Sequence, residues 1–310
     1  MLWVTLLMEN NPYHIPVLLH VATDALIQNK NGCYVDLTFG GGGHSKEILS
    51  KLDDGKLLAF DQDEDALKNS YADHRFNLVR QNFRHLQNVL NAYGYGSVDG
   101  VLADLGVSSY QFDTADRGFS FRFDAQLDMR MNSGASLSAY EVVNKYDEEE
   151  FLKILISYGE FRKGEAVKIF RKINEKRSQA PIKSTKDLCQ TVSSLVPSRF
   201  ENKFLAKLFQ SIRIEVNNEM QALEELLCQL PDCVSQNGVV VFITYHSIED
   251  RMVKNFFKSG NIEGNLSKDF YGKVIKPFEV LNKKPIVPSD DEISNNSRAR
   301  SAKLRMAKRV

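Results

Sequence analysis

Four consecutive glycines, Gly40 to Gly43, stand inside the stretch Asp36-Leu-Thr-Phe-Gly-Gly-Gly-Gly-His-Ser45. Glycine loses more backbone freedom on folding than any other residue, about 0.5–1 kcal/mol against alanine. A run of four bounded by Val35, Leu37 and Phe39 before it and Ile48-Leu49 after it argues for backbone that a ligand approaches rather than for a flexible tip. Asp61 closes the next apolar run, twenty-one residues after Gly40, the spacing at which a carboxylate accepts ribose hydroxyls in a parallel-sheet nucleotide site. Phe83, in "RQNF", is placed to cover an adenine face, and Asp104, in "DGVLADLGVSSYQFD", lies in a loop of small residues. A phosphate-binding P-loop is excluded, because Gly43-His44-Ser45 stands where Gly-Lys-Ser/Thr is required. The run also fails to complete G-x-G-x-x-G, since Ser45 falls where the last glycine belongs. The pattern favours S-adenosylmethionine, which needs the ribose carboxylate without a pyrophosphate-binding turn, and leaves a nicotinamide dinucleotide open.

The elements that must hold these residues follow from periodicity. Strand-like runs at Cys33–Phe39, Lys56–Gln62, Phe76–Asn82 and Val98–Leu105 alternate with helical stretches at Ser45–Leu52 and Asp63–Tyr71, which implies a parallel sheet with crossover helices. From Phe112 to Ala206 the strand signal lapses. "FLKILISYGEF", "EAVKIFRKINEKR" and "STKDLCQTVSSLV" read as helices, the second with Ala166, Ile169, Phe170 and Ile173 on one face and Lys168, Arg171, Lys172 and Lys176 mostly opposite. Ser184 and Asp187 mark a helix start. One long amphipathic helix from Lys203 to Leu230 is expected to lead into the buried strand "GVVVFITYH", with closing strands at Phe278–Lys284 and Arg300–Arg309. The expected organisation is one α/β domain, residues 8–112 and 207–310, interrupted by an all-α insert over 113–206.

The 310 residues, 43% of them apolar, suffice for a large core. The apolar runs are too short to span a membrane, and "MLWVTLL" lacks the flanks of a signal peptide. A cytoplasmic protein is expected, with translation starting at Met8. Cys33, Cys189, Cys228 and Cys233 form no CxxC pair and the histidines no ligand spacing, so no metal is expected. The net charge is zero, yet Leu152–Arg213 carries fourteen Lys/Arg against five Asp/Glu and Ser294–Val310 six against none. Such a split suits a polyanion partner met by selected surfaces.

Eight collinear motifs then make a specific resemblance: "HIPVLL" (His14–Leu19), "DLTFGGGGHS", "DLGVSSYQFD", "RGFSF" (Arg117–Phe121), "LDMRM" (Leu127–Met131), "FQSIRIEVNNEM" (Phe209–Met220), "YHSIEDR" (Tyr245–Arg251) and "RSAKLR" (Arg300–Arg305). From His14 onward the chain resembles the bacterial RsmH (MraW) family, which methylates N4 of a cytidine in the decoding centre, the P-site region, of 16S ribosomal RNA. The resemblance implies a class I SAM-dependent methyltransferase fold, Rossmann-like with a mostly parallel seven-stranded sheet, and S-adenosyl-L-methionine as cofactor. It implies as partner 16S rRNA in the small ribosomal subunit or a late assembly intermediate, with no membrane partner and a homodimer left open. Donor contacts carry over to Gly42, Gly43, His44, Asp61, Phe83, Asp104 and Gln111. The chain departs from the family at Gly41, where arginine is common, at "TYHSIEDR" in place of "SFHSLEDR", and at Phe161 after "YGE".

A cytosine amine is a poor nucleophile, so the implied chemistry rests on positioning, which lowers a barrier by ~7–11 kcal/mol against ~3–5 kcal/mol for proton transfer. Asp104 is the candidate for hydrogen bonding donor and amine, and His246 a candidate proton acceptor, although a pocket-shaping role suits His246 as well. Lys168, Arg171, Lys172, Lys176 and Arg130 are candidate RNA contacts; Arg130 could equally pair with Asp128. Phe119, Phe121 and Phe123 could stack bases or line a buried strand, and His14 reads as structural. Competing functions are methylation of another amine in nucleic acid or protein, a non-catalytic SAM-binding assembly factor, and a nicotinamide oxidoreductase.

Overall fold

The computed structural model describes residues 16–310, so His14 and the expected start at Met8 lie outside the described residues. Its centre is a seven-stranded sheet of β1 (Cys33–Asp36), β2 (Lys56–Asp61), β3 (Phe76–Arg80), β4 (Val98–Asp104), β5 (Val234–Thr244), β6 (Phe278–Val280) and β7 (Lys303–Arg309). The spatial order is β3-β2-β1-β4-β5-β7-β6. The first five strands pair in parallel and β7 runs antiparallel between β5 and β6, the sheet expected of a class I SAM-dependent methyltransferase.

Helices α1 (Leu19–Leu26), α2 (Gly43–Lys51), α3 (Leu86–Ala92), α4 (Ser109–Asp113), α5 (Ala139–Lys145), α6 (Glu148–Gly159), α7 (Lys163–Arg177), α8 (Thr185–Val192), α9 (Ser198–Asn217), α10 (Glu219–Cys233), α11 (Ser247–Ser259) and α12 (Asp290–Asn295) surround or extend it. The strands read as unbroken apolar runs because both faces are covered. Along β5, Val240 and Phe242 join one core while Val239, Val241 and Ile243 join the other, as the alternation of side chains demands. A third core, from Phe119 to Val216, is built by α5–α9 and the loops before them.

Several expected boundaries shift. β1 stops at Asp36, but the chain keeps bonding as it turns away, Leu37 N–H to Leu102 O and Phe39 N–H to Phe60 O at 2.9 Å each. The helix expected over Asp63–Tyr71 is a short 3₁₀ turn, Glu64–Asn69, and the strand expected from Arg300 starts only at Lys303 after another such turn. The single helix expected from Lys203 to Leu230 is two helices. Asn218 takes a left-handed φ of 50° between them, a conformation asparagine tolerates. The side chain of Asn217 makes the break useful: Nδ2 donates to Met129 O (2.8 Å) and Oδ1 accepts from the Met131 N–H (2.7 Å), tying the "LDMRM" loop to the joint. Phe119 and Phe121 pack in the helical core with no strand around them, and Phe123 is exposed.

Candidate active site

All four central parallel strands end at one edge of the sheet, and each end carries a polar residue: Asp36 on β1, Asp61 on β2, Asp104 on β4 and Thr244 on β5. Between β1 and β4 the strand order reverses direction, which is where ligands bind in open α/β sheets.

The glycine run crosses this edge. Gly40 has φ 51° and Gly42 φ 79°. A Cβ on Gly40 would meet nothing nearer than the Ser108 side chain at 3.6 Å, so its missing side chain leaves open space toward the edge. The next two glycines are small for another reason. A Cβ on Gly42 would lie 2.7 Å from the Tyr71 hydroxyl and one on Gly43 2.3 Å from Pro16 Cγ. Part of the run therefore serves packing, where the sequence pattern suggested ligand approach throughout. Gly42 caps α2, so Gly43 and His44 open that helix. The His44 ring turns inward, Nε2 facing Val17 O at 3.3 Å. Burial lowers its pKa to about 4, which leaves it neutral near pH 7.

Asp61 accepts from Gly40 N–H (Oδ2) and Asp63 N–H (Oδ1), each at 2.8 Å. A carboxylate offers about four acceptor positions, so two remain for a ribose. Burial pushes the pKa of Asp61 up to about 6, against those two N–H groups and with help from Asp63 and Asp36. Asp104 is pushed to about 7, first by burial and then by Asp36 and Glu249, with the Tyr245 hydroxyl opposing. That hydroxyl donates to Asp104 Oδ1 at 2.8 Å, and Thr38 Oγ1 accepts from the Asp104 N–H at 2.7 Å. Oδ2 lies 3.7 Å from His44 Nδ1, beyond hydrogen-bond reach, and the neutral His44 makes no ion pair there. Asp36 is fully buried, its carboxyl receiving the Ser45 hydroxyl (2.6 Å) and the Thr38 N–H (3.1 Å), and burial raises its pKa too. Three carboxyls strained toward neutrality around one edge form a site that a cationic ligand relieves. Sulfonium chemistry fits.

Phe83 begins the turn after β3 and, with Asn82, Gln62, Leu105, Gly106 and Met220, lines a cleft of about 40 Å³ beside that edge. Gln111 is one layer back. Its Nε2 donates to Asp63 Oδ2 (2.7 Å) and its Oε1 accepts from the Ser108 N–H (3.1 Å), so both ends of the amide are engaged within the protein. Arg117 pairs with the same Asp63 at 2.9 Å.

His246 caps α11. Nδ1 accepts from the Glu249 N–H (3.4 Å), while Nε2 sits 3.0 Å from Glu249 Oε1, close but out of line for a hydrogen bond. Burial acts against the charge of Glu249, yet His246 and Arg213 hold its pKa below the ordinary value. With Nδ1 engaged by the Glu249 N–H, His246 orders the helix start, and Nε2 is the ring nitrogen left without a hydrogen-bond partner among the described residues. Glu219, His246 and Glu249 bring ligand-type atoms within 4.8 Å of one another, a cluster that sequence spacing hid. Arg213 grips Glu219 there with two hydrogen bonds of 2.8 and 2.9 Å, so the cation beside it is the protein's own guanidinium.

Arg130 is paired with Asp128 through two 2.8 Å contacts and donates to Ala135 O. On α7, Lys168, Arg171 and Lys176 are exposed, and Lys172 is half-buried beside Glu175 at 3.2 Å. Sequence reasoning missed Asp36 and Tyr245. Asp36 could have been found as an acid closing a buried strand, and Tyr245 as the aromatic that departs from the family's phenylalanine.

A sequence model of the MraW methylase family matches residues 11–310. The chain belongs to this family. S-adenosylmethionine is therefore its cofactor, in agreement with the sheet and with the acidic edge. A Bacteroides fragilis protein named ribosomal RNA small subunit methyltransferase H is 50% identical over 302 residues, covering 97% of this chain and 99% of the relative. Proteins of the same name from Phocaeicola vulgatus and Flavobacterium johnsoniae are 51% and 50% identical over 298 and 299 residues, 96% of this chain in each case and 97% and 98% of theirs. Among the described residues no helix is long and apolar enough to cross a membrane.

Proposed function

We propose that this methylase transfers the methyl group of S-adenosylmethionine to the N4 amine of one cytidine in the decoding centre of 16S rRNA, in the small ribosomal subunit or a late assembly intermediate, in the cytoplasm. The observation that carries this reading is the near full-length match to small-subunit rRNA methyltransferases, joined to an acidic sheet edge built for a sulfonium. When bound, S-adenosylmethionine supplies an electrophilic methyl group on sulfur.

The residues of the chain do the rest by position. Asp61 accepts the ribose hydroxyls, Gly40 and the start of α2 leave backbone open to the donor, and Phe83 covers the adenine. Asp104 Oδ1 is held by Tyr245, so Oδ2 is the oxygen left to accept an N–H of the incoming amine and fix its lone pair toward the methyl. The methylated nitrogen becomes strongly acidic, and a carboxylate with a pKa near 7 suffices to take its proton. The helical core over the insert, with the Lys168, Arg171, Lys172 and Lys176 face of α7, is assigned the RNA backbone. Transfer of a radiolabelled methyl group to small subunits, followed by nucleoside analysis, tests this: label in N4-methylcytidine is expected, and label in another nucleoside or in protein overturns it.

A further inference from the structure

Between α11 and β6, Ile262 packs against the sheet's core, but Ser267 to Ile275 join none of the three cores. This stretch folds back on itself, with a bridge between Lys268 and Val274 and backbone bonds from Asp269 N–H to Lys273 O (2.9 Å), Gly272 N–H to Asp269 O (3.0 Å) and Ile275 N–H to Ser267 O (2.8 Å). Asp269 Oδ1 locks the tip by accepting the N–H groups of Tyr271 and Lys273, both at 2.9 Å. The base is seated on the end of α11, where Gly260 leaves room for Pro277 and Lys276.

This ordered hairpin holds two aromatic rings out in water. Phe270 is 97% and Tyr271 91% exposed, their rings nearly perpendicular (88°) with centroids 5.6 Å apart. Exposed aromatic rings of this size gain by burial, and among the described residues nothing covers either one. Around the rings, Lys268 and Lys273 are exposed and Lys276 half-buried. Asp269, the acid within the hairpin, is occupied by the backbone of the turn, and among the described residues none of these lysines has an ion-pair partner closer than 4.0 Å.

We propose that this hairpin is an RNA-binding finger, on which unpaired bases of a single-stranded RNA segment stack against Phe270 and Tyr271 while Lys268, Lys273 and Lys276 meet the phosphates. Open aromatic faces flanked by cations are what sequence-tolerant single-strand binding requires. A protein anchor would call for an apolar surround, whereas lysines stand around these rings. The inference rests on the proposed RNA substrate and adds a second contact region to it. β6 begins opposite Arg309, the end of β7 away from Lys303, and Lys303 pairs with Thr244 at the acidic edge. The finger thus leaves the sheet at the end remote from the chemistry. It grips RNA other than the strand holding the target base, and acts on affinity rather than on turnover.

The test compares wild-type protein with Phe270→Ala/Tyr271→Ala and with Lys268→Gln/Lys273→Gln, using a fluorescent ten-nucleotide oligouridylate, a double-stranded RNA of equal length and phosphatidylserine-containing vesicles. Both pairs are exposed, so thermal midpoints should be unchanged. The aromatic variant is expected to bind oligouridylate about tenfold or more weakly and duplex RNA as before. The lysine variant should show a salt slope flatter by about 0.7 for each phosphate no longer neutralised. Oligonucleotides carrying 4-thiouridine should crosslink to the peptide containing Phe270 and Tyr271. With small subunits, KM should rise while kcat holds. Unchanged oligouridylate binding in the aromatic variant, or a loss confined to vesicles, overturns the finger. A wild-type protein that methylates no cytidine overturns the proposed function instead and leaves the binding comparison intact.

Discussion

Asp61 and Asp104 share the acidic edge but are bonded differently, and single substitutions separate them. Asp61 also ties down Gly40, so Asp61→Ala removes ribose acceptors and loosens the loop together. Affinity for S-adenosylhomocysteine, measured by calorimetry, should fall about tenfold or more, from ~1.5–3 kcal/mol for hydrogen bonds to a charged group. An unchanged dissociation constant in a folded variant removes Asp61 from the site. Asp104 governs a pH effect. Its pKa of about 7 lies above the unfolded value, so the folded protein holds a proton that the unfolded chain releases. This group's contribution to stability is therefore greatest at low pH and declines as pH rises from about 4 through 7. A sulfonium favours the ionised form, a neutral thioether does not. The affinity ratio of S-adenosylmethionine to S-adenosylhomocysteine should accordingly climb between pH 6 and 8, and Asp104→Asn should flatten it. Tyr245→Phe deletes a bond to the carboxylate and should move the climb to higher pH. A ratio independent of pH in the wild type would separate Asp104 from the sulfonium.

At the scale of elements, the joint between α9 and α10 and the face of α7 make opposite kinds of prediction. Asn217→Ala strips partners from Met129 O and the Met131 N–H in a part-buried loop. Urea unfolding should register a loss of about 1–3 kcal/mol, and a loss below about 0.5 kcal/mol would mean that water replaces the amide. Replacing Lys168, Arg171, Lys172 and Lys176 by glutamine should leave stability nearly alone while flattening the slope of log RNA affinity against log salt by about 0.7–0.9 for each phosphate left without its cation. If affinity and slope both survive, that face is solvated surface only. The strands were legible in the sequence because unbroken apolar runs such as "GVVVFIT" have few other homes. The α9–α10 break was not, since Asn217-Asn218 interrupts no apolar period and only left-handed φ betrays it. Asp61 and Asp104 were legible from strand ends. The engagement of His246 with Glu249 and of Gln111 with Asp63, and the packing of Gly42 and Gly43 against Tyr71 and Pro16, were hidden, because each depends on how the folded chain brings its partner alongside.

The whole molecule divides its labour between a sheet with two covered faces and a separate helical core, and its charge follows the same division, with the basic excess gathered in Leu152–Arg213. A ligand that binds the sheet edge stabilises what it touches. At a hundred times its dissociation constant, S-adenosylhomocysteine should add about 2.7 kcal/mol to unfolding of the sheet. Exchange of backbone amides should slow in β1, β2 and β4 and stay as it was in α6–α8. Equal slowing in both would show that the two cores unfold as one cooperative unit.

β4 pairs in parallel with β5, yet the chain between Asp104 and Val234 builds the other core first. During synthesis at ~5–20 residues per second, β4 therefore waits roughly 6–26 s for its neighbour, its unpaired edge able to capture a stray strand. The helices made in that interval depend on local contacts and fold quickly. They are folded before β5 is made, so the growing chain spends that interval with a compact body following β4 rather than with an unfolded tract prone to aggregation.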